Sequence, residues 1–238
     1  KINLRFDMWG NDEYQLLNNQ LWFSEKNDYH YKFYMDLGIG YSGGGYYIRA
    51  IGIGEKIYIV PGNAQNLLII EDKKIRRVDF EKVEMQGGCF AGYWYNEKYI
   101  FLFPQRYPKC IRFHIETEKV DYIDNIQPFE VQKVENEWRR GGICPYGNEL
   151  IFASPEDAQF LFMDIDTLEI RKRSSNSVCN LGTQVIVPDG DDLWLLPMNG
   201  MTITRWNPKT GERREYNGRL PENFRSVKWP HEMECEER

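Results

Sequence analysis

Two arginines beside a tryptophan, Trp138-Arg139-Arg140, and a third beside a tyrosine, Arg106-Tyr107, are the residues of this sequence best suited to holding an anion. A guanidinium offers a carboxylate or phosphate paired N–H donors, and a neighbouring aromatic ring supplies a flat stacking platform. The set fits a carboxylate, a phosphate or an acidic sugar. Glu156 and Asp157 carry the opposite charge and read two ways. They either neutralise the arginines on a solvated surface, where ion pairs contribute little, or serve with Asp28 as general acid and base across a mouth. That second role requires a suitable separation and shifted pKa values.

Other chemistry is poorly supplied. The three histidines, His30, His114 and His231, are too few and too dispersed for a metal or triad site, and no Gly-x-Ser-x-Gly elbow occurs. Pro188-Asp189-Gly190-Asp191-Asp192 lacks the liganding Glu and the loop length of a calcium hand, so it reads as a turn. Five cysteines, Cys89, Cys110, Cys144, Cys179 and Cys235, are odd in number, widely spaced and free of CxxC. Reduced thiols are expected rather than a disulfide framework or a zinc site. No catalytic residue, metal or cofactor is expected.

Composition narrows the partners. A formal net charge of −6 and a pI near 5.3 argue against a general binder of nucleic acid, which would show a basic face. The apolar runs are far shorter than the roughly 20 residues of a membrane span, so no membrane insertion is expected. No Asn-x-Ser/Thr acceptor occurs, which leans toward a cytoplasmic home. The chain starts at Lys1 with no charged-then-apolar leader, so a leader has been removed or an upstream piece is absent.

The elements that must position these residues are written as a repeat. Leu21-Trp22-Phe23-Ser24, Ile57-Tyr58-Ile59-Val60-Pro61, Ile100-Phe101-Leu102-Phe103-Pro104, Ile151-Phe152-Ala153-Ser154-Pro155 and Leu193-Trp194-Leu195-Leu196-Pro197 are one phrase in five copies, spaced by 36, 43, 51 and 42 residues. Before each lies an apolar strand and a tight polar turn, as in Gly54-Glu55-Lys56 and Gly147-Asn148-Glu149. After each come a loop, an alternating third strand, a second turn and a fourth strand. A column ahead of that second turn reads Asp36, Ile69, His114, Asp164 and Asn207; its short polar members suit hydrogen bonds to the turn's amides. Four-stranded sheets repeating at this interval predict an all-β β-propeller of five visible repeats, either closed as five blades or part of a ring of six or more.

Gly147-Asn148-Glu149-Leu150-Ile151-Phe152, Phe162-Met163-Asp164-Ile165-Asp166-Thr167 and Arg205-Trp206-Asn207-Pro208-Lys209-Thr210-Gly211-Glu212 resemble bacterial propeller repeats of the kelch-like and quinoprotein-like kind. The resemblance implies a fold and no reaction. One propeller domain over 1–238 is expected, with repeats at about 11–42, 43–86, 87–136, 137–179 and 180–220, an extra strand in 1–10, and 221–238 as a tail or the start of another blade. In propellers as a class, ligands meet the loops between second and third strands and the links between blades. Here those are 25–29, 62–65, 105–109, 156–159 and 198–200, together with glycine-rich links such as Gly87-Gly88 and the segment holding Trp138-Arg139-Arg140. The expected function is non-catalytic binding of a protein partner or an acidic or carbohydrate ligand at that face. The alternatives are a propeller glycosidase or lyase using loop carboxylates, and an incomplete ring finished by another chain.

Overall fold

The computed structural model of the chain describes residues 13–17, 19–24, 31–38, 46–84, 88–124, 131–134, 137–140, 142–153, 159–174, 183–197 and 202–217. Every regular element among them is a strand. Two compact units divide the chain after Tyr122, and each is described by itself.

The first unit holds three antiparallel sheets. β1 (Tyr14–Leu17), β2 (Gln20–Phe23) and β3 (Lys32–Asp36) form a three-stranded sheet; β4 (Tyr47–Ile53), β5 (Lys56–Pro61), β6 (Asn66–Glu71) and β7 (Lys74–Asp79) form the next; β8 (Phe90–Tyr95), β9 (Tyr99–Pro104), β10 (Cys110–His114) and β11 (Val120–Ile123) form the third. Strands follow one another in each sheet as a meander. The middle strands read as continuous apolar runs because both their faces are covered. Along β5, Ile57 and Ile59 pack with Leu21 of β2, while Tyr58 and Val60 pack with Leu102 and Phe113 of the third sheet. The outer strand β7 is the reverse, with Lys74, Arg76 and Arg77 exposed, as suits an edge that must not pair further.

The second unit begins with a two-stranded hairpin, β12 (Val131–Val134) with β13 (Glu137–Arg140). Two four-stranded meanders follow: β14 (Ile143–Tyr146), β15 (Glu149–Ala153), β16 (Gln159–Asp164) and β17 (Ile170–Ser174), then β18 (Thr183–Asp189), β19 (Asp192–Pro197), β20 (Thr202–Trp206) and β21 (Arg213–Asn217). Trp206 of β20 packs in a tilted pair with Phe160 of β16 at 4.9 Å between centroids and meets Phe162 edge-on at 6.1 Å, joining these two sheets.

One expected boundary is revised. The hairpin belongs to neither flanking sheet, so the boundary placed at 136/137 cuts through it. β11 already supplies the fourth strand of its sheet, and the extra residues fold on themselves, which accounts for the widest repeat spacing. Among the described residues the first repeat shows three strands; residues 39–45, which precede β4, lie outside the described set. The side chain of His114, a longer member of the column, contacts Asp121 at 2.6 Å. Its neighbours in the column behave as expected. Asp164 Oδ1 accepts from Asp166 N and Thr167 N at 3.0 and 2.8 Å, and Asn207 Oδ1 accepts from Lys209 N and Thr210 N at 2.9 and 3.0 Å. Asp36 Oδ1 accepts from Gly38 N. The first turns place Asn19, Gly54, Gly147 and Gly190 at φ of 60–66°, the region such residues tolerate best. The strands expected in 2–9 and 224–229 lie outside the described residues.

The second residue of the aromatic phrase is core in four of the five copies, and Trp22 is half-buried. Tyr58, Phe101, Phe152 and Trp194 are all buried. Tyr58 is the costly member, because its hydroxyl is buried with no hydrogen-bond partner among the described residues, and burial pushes its pKa up to about 12. Tyr58→Phe removes that desolvated hydroxyl while keeping the ring against Phe113, and is expected to raise stability by about 1 kcal/mol. Urea unfolding of the two proteins checks this; a lower midpoint for the phenylalanine chain would mean that the hydroxyl has a partner.

Candidate functional site

The loops at one end of the first unit are fixed by backbone hydrogen bonds that repeat from sheet to sheet. The carbonyl of Tyr46 accepts from the amides of Gly62, Asn63 and Ala64 at 3.0–3.2 Å. One repeat later, the carbonyl of Cys89 accepts from Gln105, Arg106 and Tyr107 at 2.8–3.3 Å, and the carbonyl of Gly62 accepts from both Cys89 and Phe90 at 2.8 Å. Side chains complete the frame. Gln65 Nε2 donates to the Val83 carbonyl while its Oε1 accepts from Val83 N. Tyr107 Oη donates to the Glu81 carbonyl at 2.7 Å, and Cys89 Sγ to the Asn63 carbonyl at 3.0 Å. Two loops, residues 81–83 and Cys89 are thereby fastened to the same strand ends.

On that frame, Asn63 and Arg106 are exposed and Gln105 is half-buried. The two carboxamides converge over Gly88. A methyl group added there would collide with Gln105 Oε1 and lie 3.2 Å from Asn63 Oδ1. Neither carboxamide has a hydrogen-bond partner among the described residues. Lys109 stands alongside, its Nζ 3.5 Å from Glu81 and 5.4 Å from the centre of the Tyr122 ring. That end thus carries two carboxamides and an exposed arginine on a fixed backbone.

Arg106 therefore occupies an exposed position at the expected face. Tyr107 does not: it is fully buried, its ring tilted against Phe90 at 5.1 Å between centroids, and bonded to Glu81, so it packs under the loop and presents no platform. Burial raises its pKa well above the ordinary tyrosine value. The backbone of Trp138, Arg139 and Arg140 lies in β13, where they pair with Lys133, Gln132 and Val131 respectively, so they sit on a hairpin strand and not in an open loop. Glu156, Asp157 and Asp28 lie outside the described residues. Asn63 and Gln105 were not singled out by sequence. Their signal was present in the repeat itself, because each follows the proline that ends a second strand, Pro61 or Pro104, within two residues.

A second polar cluster lies elsewhere on the third sheet. Asp121 Oδ2 accepts from Arg112 Nε and Nη2 at 2.8 and 2.6 Å and contacts His114 Nε2 at 2.6 Å, with Arg112 over the Tyr99 ring. Burial works to raise the Asp121 pKa, but the hydrogen bonds from His114 and Arg112 outweigh it and hold the carboxyl below its ordinary value. Glu118 is lowered by its hydrogen bond from Arg76, and Asp164 by the Thr167 amide. Each lowered carboxyl stabilises the fold above the ordinary carboxylate range of about 4, and that contribution is lost as pH falls through the lowered value. Stability is expected to drop on acidification below about pH 4.5. Asp121→Asn should flatten that acid limb in urea unfolding at stepped pH; an unchanged slope would show that Asp121 contributes nothing. The described thiols are poorly placed for reactivity, since burial raises the pKa of Cys89 and Cys144.

No family model and no curated protein matches the chain. Solved structures do. A catalytically inactive histidine-to-alanine variant of virginiamycin B lyase from Staphylococcus aureus, solved with quinupristin, superposes with a TM-score of 0.57 at 14% identity, over 86% of this chain and 64% of that one. Hsv2 of Kluyveromyces lactis gives 0.51 at 11% identity, over 84% and 57%. The extracellular domain of BT4673, a one-component-system protein of B. thetaiotaomicron, gives 0.51 at 12%, over 87% and 27%. The fold is a β-propeller. At these identities the likeness carries architecture alone, and the propeller chain here spans less than two thirds of the length of each of these neighbours.

Proposed function

We propose that this propeller binds an acidic or carbohydrate ligand without turning it over, at the loop end that carries Asn63, Gln105 and Arg106. One observation carries the reading: three hydrogen-bonding side chains stand on two loops whose backbone is already fixed, so recognition needs little ordering of the loops. A protein partner is the other occupant this end would suit. Trp138, Arg139 and Arg140, on a hairpin added to the repeat, are proposed as a further contact strip for the same class of ligand. The test is binding of the full chain to an array of acidic and neutral glycans and acidic peptides, with Asn63→Ala/Arg106→Ala as the control. Retained binding in that double variant moves the site elsewhere. Hydrolytic or eliminative turnover of an array member, abolished by Glu156→Gln or Asp157→Asn, would replace the binding reading with the propeller glycosidase or lyase.

A further inference from the structure

We infer that the paired carboxamides of Asn63 and Gln105 form a subsite for a neutral sugar unit, held through its hydroxyls; this rests on the binding reading above and narrows it to uncharged carbohydrates. The discriminating feature is which polar groups the frame already uses. The amides of 62–64 and 105–107 donate to the carbonyls of Tyr46 and Cys89, so those N–H groups are not left for a ligand. Gln65, on the same loop as Asn63, engages both ends of its carboxamide with Val83. A carboxamide that serves the frame thus finds its partner inside the chain. Asn63 and Gln105 have no such partner among the described residues, and their oxygens converge over Gly88. Arg106 has an interaction of its own within the chain and is assigned no part in the subsite.

The convergence sets the charge of the ligand. Two amide oxygens side by side repel a carboxylate and a phosphate alike, whereas both accept from an O–H, and each carboxamide adds an NH2 donor beside its oxygen. A sugar hydroxyl is the matching group. It donates one hydrogen and accepts through its lone pairs, and neighbouring hydroxyls on a ring present such groups at short spacing. A neutral ring therefore meets both amides without bringing an anion against their oxygens.

Gly88 has a definite part. Its missing side chain leaves the space in which the two amide oxygens meet. Its φ lies outside the left-handed region, so alanine suits the backbone, and the added methyl displaces only the flexible end of Gln105. Gly88→Ala therefore fills the subsite without unfolding the sheet.

The experiment is calorimetric titration of the full chain with four probes: cellohexaose and mannohexaose, which are neutral and differ in the configuration of one hydroxyl per ring, and an oligoglucuronate and an oligoglucosamine with the backbone of cellohexaose. A neutral probe is expected to bind about tenfold more tightly than the oligoglucuronate. Asn63→Ala and Gln105→Ala should each weaken that probe by about threefold to tenfold, the scale of one hydrogen bond. Gly88→Ala should weaken it about tenfold while the urea midpoint stays near that of the parent; the two alanine variants at 63 and 105 carry the test independently if the midpoint falls. Equal or tighter binding of the oligoglucuronate overturns the neutral assignment, and tighter binding of the oligoglucosamine makes the converging oxygens a cation site; either result leaves loop-end binding standing. Neutral-probe binding that survives all three variants unchanged overturns the location. Failure of all four probes overturns the inference, and if the wider array also stays empty the binding reading falls with it.

Discussion

Trp194→Ala is expected to lower the free energy of unfolding by about 3–5 kcal/mol, the range for deleting a large buried aromatic ring. Trp194 is 1% exposed, and its indole joins apolar packing to a polar network. Nε1 donates to Asp189 at 3.1 Å, the Arg205 guanidinium lies 5.4 Å from the ring centre, and Tyr216 packs against it at 5.4 Å. Arg205 is also paired with Asp192 at 2.6 Å, while its Nε is buried without a partner among the described residues. Removing the ring opens a cavity beside a cation that already has one unmet donor, so the cost exceeds that of lost area alone. Trp194→Phe separates the contributions: it keeps most of the ring and gives up the Asp189 hydrogen bond, for an expected loss of about 1–2 kcal/mol. Urea unfolding followed by circular dichroism measures both. A loss below about 1 kcal/mol for the alanine chain would mean that β19 does not need its aromatic residue, contrary to the cavity cost.

Tyr107→Ala is the second large effect, again about 3–5 kcal/mol. The residue lies in a segment without strand geometry, yet its ring is buried against Phe90 and its hydroxyl holds the Glu81 carbonyl. Two roles can be told apart. As a packing residue, Tyr107→Phe should cost about 1 kcal/mol through the orphaned carbonyl and leave ligand affinity within about twofold. As a stacking platform it would lose affinity in the alanine variant even under conditions where that variant remains folded. Parallel unfolding and titration of the three proteins decide between them.

The architecture was legible because it is repeated. Continuous apolar runs around Tyr58, Phe101, Phe152 and Trp194, three of them behind a turn with Gly where φ is positive, specify strand, turn and strand locally. Asp164 and Asn207 could be read as turn holders because a short polar side chain two or three residues ahead of the amides has few other uses. The hairpin at Val131–Val134 and Glu137–Arg140 could not be read from the repeat, since it is an insertion. The site was legible only as a region. Arg106 and Tyr107 are adjacent and chemically attractive in a line of text, but the amide-to-carbonyl bonds turn one outward and bury the other. Asn63 and Gln105 escaped notice because their convergence depends on Gly88, a residue that matters for the atoms it lacks.

The three-to-one bonding at Tyr46 and Cys89 also bears on how this surface can change over time. Both anchors are main-chain groups, so nearly any side chain can stand at 63, 105 or 106 without loosening the loop that carries it. New preferences for ligands can then be explored one substitution at a time at almost no cost in folding. Deuterium uptake should show the other side of the same property, with the amides of 62–64 and 105–107 exchanging as slowly as those of the neighbouring strands although they belong to loops.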